Sequence, residues 1–119
     1  MREKNMPEND WMISLPQVYA GLPAQQQFHY PLRHGSMRLG VYAPRGEDTQ
    51  TPHRQDEIYI VIAGSGDFVK NGERRRFRAQ DAIFVEAGAE HRFENFSADF
   101  STWVIFWGPQ GGEAQTAAG

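Results

Sequence analysis

The dipeptide Asn71-Gly72 stands between two extended runs, Gly66 to Lys70 and Glu73 to Arg78. A two-residue type I′ turn needs positive φ at both central positions, and Asn-Gly meets that requirement better than almost any other pair. The two runs are therefore predicted to fold back as an antiparallel hairpin. Further short runs follow the same logic: Gln27 to Leu32 and Ser36 to Ala43, joined through a turn at Arg33 to Gly35, then Ile58 to Ala63, Ala82 to Val85, His91 to Asn95 and Phe100 to Trp107. Turn residues recur about every eight to twelve positions, the spacing of an all-β sandwich or barrel. One segment breaks the pattern. In "SLPQVYAGLP", Ser14 can cap a helix, Pro16 suits its first turn, and Leu15, Val18, Tyr19 and Leu22 share one helical face, with Gly21 and Pro23 closing it.

A chain of 119 residues suits one domain. Its hydrophobic content of 39% and aromatic content of 13% are those of a packed core rather than a disordered segment. The formal charge of −3 gives no footprint for nucleic acid, and the one basic run, "ERRRFR" from Glu73 to Arg78, reads as a solvated strand face. With no cysteine, disulfides and thiolate zinc sites are excluded. No apolar run approaches a membrane span, and "MREKNMPEND" lacks the apolar core of a signal peptide, so a soluble, cytoplasmic protein is expected. Residues 1–27 are read as an extension carrying the short helix, 28–107 as the body of the single domain, and 108–119 as a flexible Gly/Ala tail. Trp11, Met12 and Ile13 would leave an apolar stretch in water, which predicts a homodimer.

The chain has four histidines, His29, His34, His53 and His91. Alternation along a strand lets His53, Gln55 and Glu57 project together, with Thr51 in line. His91, at the start of the alternating "HRFENF", is the candidate to meet them from a neighbouring strand. Two imidazoles and one carboxylate suit a divalent first-row metal, either a non-haem Fe(II) site or catalytic zinc. From residue types alone, a His and a Glu four apart on a strand are more often polar groups on a surface. His29 and His34, flanking the first turn, read as exposed or hydrogen-bonded. Tyr59 has the face parity of Glu57, ahead of Arg38 and Tyr42 as a cavity residue. On the last strand Trp103 and Ile105 share one face, Val104 and Phe106 the other. One of these two sets lines the barrel, and alternation alone leaves both open; Thr51, Tyr59, Trp103 and Ile105 are taken as the candidate substrate pocket.

Two motifs add to this reading. Glu57 is followed by six residues and Gly64, and preceded by His53 with three residues between. In "QDAIFVEAGAEHRFEN", Gly88, His91 and Asn95 keep their mutual spacing. The pair resembles the two motifs of the cupin superfamily, G-x5-H-x-H-x3/4-E-x6-G and G-x5-P-x-G-x2-H-x3-N. Thr51 stands where the first histidine belongs, Gly46 is one residue off the leading glycine, and Gln80 and Glu86 replace the glycine and proline of the second motif. The resemblance runs from about Phe28 to Trp107 and implies a double-stranded β-helix, a jelly-roll barrel with a metal at its centre. It carries the family's ligands over to His53, Glu57 and His91. Three arrangements stay open for the missing histidine: water completes the site, the Gln55 amide oxygen swings in, or the metal is lost. The implied function is that of a small metal-dependent enzyme of oxygenase, isomerase or lyase type. It would hold one Fe, Zn, Mn or Ni ion and act on a small organic metabolite. The alternative is a non-catalytic pocket that binds or senses a small ligand.

Overall fold

A computed structural model describes residues 11–22, 27–48 and 50–114. Among these residues one helix, α1 (Leu15–Ala20), precedes eight strands: β1 (Phe28–His34), β2 (Met37–Tyr42), β3 (Asp56–Ala63), β4 (Ser65–Lys70), β5 (Glu73–Arg78), β6 (Ala82–Val85), β7 (His91–Glu94) and β8 (Ser101–Trp107). They form a five-stranded sheet, β1-β2-β8-β3-β6, and a three-stranded sheet, β5-β4-β7, with antiparallel pairing throughout. The two sheets face each other as a jelly roll and are not closed into one hydrogen-bonded barrel. The predicted hairpin is present: Lys70 pairs with Glu73, and Asn71 and Gly72 take φ of 49° and 85°. In α1, Ser14 occupies the N-cap position, but its hydroxyl donates to the Gln17 side chain instead of accepting a backbone N–H. Val18 is fully buried where the helix packs on β1 and β2. Pro23 and residues 1–10 lie outside the described residues.

Strand alternation assigns the interior. In β3 the inward residues are Glu57, Tyr59 and Val61; in β8 they are Thr102, Val104 and Phe106, all of them buried. The facing sheet contributes Phe68, Phe77, His91 and Phe93. The Phe93 ring is the hub, with centroids of Tyr59, Phe68 and Phe100 at 4.8, 4.8 and 4.7 Å and of Phe77 at 5.3 Å. Edge-to-face and tilted pairs of this kind add to the hydrophobic burial that holds the sheets together. Trp103 and Ile105 are only partly buried on the outer face, opposite the core. The assignment of these two side chains to a pocket is therefore reversed, and Val104 and Phe106 line the interior. Both faces of β8 are apolar because both are covered in part, so alternation alone carries no sign.

Two other features fix the frame around the site. Gly64 sits at φ +86°, and a Cβ there would stand 2.6 Å from Ser97 Oγ and 2.7 Å from Phe100 Cα. Only glycine fits this junction between β3 and β4. The segment from Gly108 is tied down as far as it is described, contrary to the loose tail that its composition suggests. Gly108 N donates to Ser36 Oγ, Gly111 N to the Arg54 carbonyl and Glu113 N to Asp56 Oδ2. Its backbone amides, not apolar side chains, hold it, which is why no core pattern marks it.

Candidate metal centre

The three ligand candidates come together at one end of the jelly roll, where the two sheets meet. Asp56 Oδ1 accepts the Ala87 amide at 3.0 Å and Oδ2 accepts Glu113 N at 2.9 Å, which anchors the start of β3. Its neighbour Glu57 is thereby turned inward, with a side chain only 2% exposed. His91 opens β7 on the facing sheet, fully enclosed. The His53 carbonyl accepts Gly88 N at 2.7 Å, tying the segment before β3 to the turn before β7. His91 Nε2 lies 3.3 Å and His53 Nε2 4.0 Å from Glu57 Oε1. All three ligand atoms fall within 4.8 Å of one another.

The site's hydrogen bonding is set for a cation. His91 Nδ1 pairs with the Ala89 carbonyl at 2.8 Å; a carbonyl can only accept, so a neutral ring carries its proton on Nδ1 and presents a lone pair at Nε2. That lone pair faces the Glu57 carboxylate, and among the described residues neither Glu57 Oε1 nor His91 Nε2 has a hydrogen-bond partner, although both are buried. Two acceptors left facing each other in a buried place are unfavourable unless a proton or a metal ion lies between them. Two imidazoles and one carboxylate, with these two atoms unsatisfied, fit a divalent transition metal.

Electrostatics separate the two histidines. Burial lowers the His53 pKa, with His91 and Arg38 adding to the effect against Glu57. Burial also disfavours charge on His91, but the facing Glu57 carboxylate and the bond to the Ala89 carbonyl outweigh it and raise that pKa. Burial and the Glu57 charge push the Tyr59 hydroxyl well up, so it stays protonated and acts as a donor. The His53 side chain, 31% exposed, marks the open side of the cluster. Its ring packs edge-on to Phe106 at 4.8 Å, and the Arg38 guanidinium lies 4.5 Å from the centroid of that ring.

The other candidates are placed as follows. Gln55 is committed elsewhere: its Nε2 donates to the carbonyls of Ser36 and Gly108, both at 2.9 Å, and its Oε1 accepts from Arg38 Nη2 at 3.2 Å. It is not the fourth ligand that parity suggests, because the chain is not yet a strand at residue 55. Thr51 is exposed, Tyr59 is buried beneath the cluster, and Trp103 and Ile105 belong to the outer face. His29 is half-buried and His34 exposed, both outside the cluster. Sequence reasoning missed Asp48, Gln50 and Phe106. Gln50 Oε1 lies 3.2 Å from His53 Nε2 and accepts the Tyr59 hydroxyl at 3.1 Å, and Gln50 Nε2 donates to Asp48 Oδ2 at 2.8 Å. Asp48 and Gln50 sit in an irregular segment without periodicity, so only the buried carboxylate's need for partners could have pointed to them.

A jelly roll with a buried His-His-carboxylate cluster at one end defines the class. The cupin domain family matches residues 38–106, and the chain belongs to that family. It is 33% identical over 81 residues to an uncharacterized protein of Streptomyces coelicolor, covering 66% of this chain and 77% of that one. A solved structure from Neisseria meningitidis is similar with TM-score 0.64 and 20% identity, covering 82% of this chain and 99% of that one. A cupin 2 conserved barrel domain protein from Salinispora arenicola superposes with TM-score 0.63 at 21% identity, covering 83% and 91%. These structural likenesses bear on the fold alone. No helix among the described residues is long and apolar enough to cross a membrane.

Proposed function

We propose that His53, Glu57 and His91 hold one divalent transition metal, Fe, Zn, Mn or Ni, and that the protein is a small metal-dependent enzyme acting on an organic metabolite. The observation that carries this reading is the pair of buried, unpartnered acceptors, Glu57 Oε1 and His91 Nε2, 3.3 Å apart. An ion bound there would act as a Lewis acid toward an oxygen-bearing ligand, in chemistry of the oxygenase, isomerase or lyase type. The chain's own residues supply the surroundings. Phe106 shields one side of His53, and Tyr59 gives a protonated hydroxyl. Arg38 on the inner face of β2 places a positive charge close enough to lower the His53 pKa, which suits a small organic acid. A non-catalytic pocket for a small ligand is the second reading, favoured by the exposed Thr51 in the place of the first histidine.

Metal analysis of the purified protein beside His53→Ala and His91→Ala tests the site. Stoichiometric metal in the parent and its loss in both variants is the expected result. No uptake after reconstitution with Fe(II), Zn(II), Mn(II) or Ni(II) would leave the pocket reading. Self-association as a homodimer is part of the proposal, supported by Trp11 and Met12 at 86% and 67% exposure and by Ile60 and Phe84 uncovered on the outer sheet face. Size-exclusion at several concentrations checks it, and a concentration-independent monomer would rule it out. A cytoplasmic setting completes the proposal, in keeping with the absence of cysteine.

A further inference from the structure

We infer that Gln50, through its amide oxygen, is the fourth protein donor of the metal centre, replacing the histidine that Thr51 fails to provide. The inference rests on the metal reading of His53, Glu57 and His91. Gln50 Oε1 stands 3.2 Å from His53 Nε2, as His91 Nε2 stands 3.3 Å from Glu57 Oε1. Adjacent donors on one ion with bonds of about 2.1 Å lie roughly 3.0–3.4 Å apart, so both separations are those of neighbouring ligands.

The amide is held oxygen-inward. Its Nε2 donates to Asp48 Oδ2 at 2.8 Å, and Asp48 Oδ1 accepts the Gln50 backbone N–H at 3.1 Å. Turning the amide over would set its oxygen against the Asp48 carboxylate and its NH2 against the Tyr59 hydroxyl. Asp48 itself is buried and fixed by Tyr42 Oη at 2.6 Å and Phe93 N at 2.8 Å, so the orienting group belongs to the core. One lone pair of Gln50 Oε1 accepts the Tyr59 hydroxyl, which polarises the carbonyl; the other, which accepts the His53 Nε2–H when the ring carries its proton there, would turn to the ion that takes that proton's place. Asp48 and Tyr59 are then positioning residues, and the donor set is two imidazole nitrogens, one carboxylate and one amide oxygen. A set of two nitrogens and two oxygens of this kind is suited to Fe(II) or Mn(II).

The test is a Co(II) titration of the full chain, followed by d–d absorption, for the parent, Gln50→Leu, His53→Ala and His91→Ala, with far-UV circular dichroism to verify folding. It is paired with the crystal structure of the Co(II)-loaded parent. The inference expects one Co(II) per chain in the parent, binding abolished in both histidine variants, and affinity at least about 10-fold weaker with an altered spectrum in Gln50→Leu. An amide oxygen within bonding distance of the ion, about 2.0–2.3 Å, completes the expectation. Parent-like affinity and spectrum in Gln50→Leu, or Gln50 Oε1 beyond about 3 Å from the ion, overturns the role of Gln50 while the histidine variants still uphold the three-residue site. Failure of the parent to bind, or parent-like binding in the histidine variants, overturns the site itself and Gln50 with it. Should Gln50→Leu fold poorly, the ion-to-oxygen distance in the parent crystal decides alone.

Discussion

Replacing Glu57 by glutamine should stabilise the metal-free protein and remove its response to metal. In the parent, a carboxylate oxygen and a ring nitrogen face each other at 3.3 Å, both buried and neither with a donor among the described residues. A buried polar atom without a partner costs about 1–3 kcal/mol. In the Glu57→Gln variant the introduced amide would remove the buried charge and direct an NH2 group at His91 Nε2. The expected gain is about 1–2 kcal/mol. At roughly 4 °C per kcal/mol for a domain of this size, the metal-free Tm should rise by about 4–8 °C. The opposite holds once metal is present. An ion at 100 times its Kd adds about 2.7 kcal/mol, or roughly 10 °C, to the parent. The variant, lacking the anionic ligand, should gain almost nothing. The order of the two melting temperatures therefore inverts between chelated and metal-loaded samples. Differential scanning fluorimetry, with chelator and with excess metal ion at one pH, reads both states. A variant that melts below the parent in chelator and keeps the full metal shift would refute the reasoning.

Three further outcomes are expected away from the ligands. Gly64→Ala combines a positive φ with Cβ contacts of 2.6 and 2.7 Å, and should cost about 3–5 kcal/mol in urea denaturation; a loss under about 1 kcal/mol would contradict the packing. Gln80, at φ 77° in the place of the family's glycine, is held there by its N–H to the Val61 carbonyl, so Gln80→Gly should raise stability by about 0.5 kcal/mol while Gln80→Ala should not. A lower urea midpoint for the glycine variant would exclude backbone strain at that position. Asp67 accepts from Asn95 at 3.0 Å, the first cause of its lowered pKa, and from Arg74 at 3.1 Å. Because the folded pKa lies below the unfolded one, its contribution is present above about pH 4 and lost as pH falls further. The Tm difference between parent and Asp67→Asn should therefore shrink between pH 5 and pH 3, and a difference that grows on acidification would be the wrong sign.

The strands and their hairpins were legible along the chain because each depends on local backbone preferences. Asn71-Gly72 selects its turn through positive φ, and the eight strands fall within a few residues of the segments that turn signals delimit. The cluster of candidate ligands was legible because Glu57, Gly64, Gly88 and His91 keep a motif spacing that one dimension can display. What lay beyond reach were relations between segments distant in sequence. Which face of β8 turns inward depends on what covers each side, so Phe106 rather than Trp103 meets the histidine. Gln55 has the right parity, yet Ser36 and Gly108, 19 and 53 positions away, take its amide. Gln50 follows no period at all and is aimed at the cluster because Asp48, fixed by the Phe93 amide 45 residues on, holds it there. Local propensity and spacing thus determined that this chain folds as a jelly roll bearing two histidines and a glutamate. Only the tertiary structure decided which neighbours face them, since hydrogen bonds between irregular segments obey geometry in space and leave no repeat in the sequence.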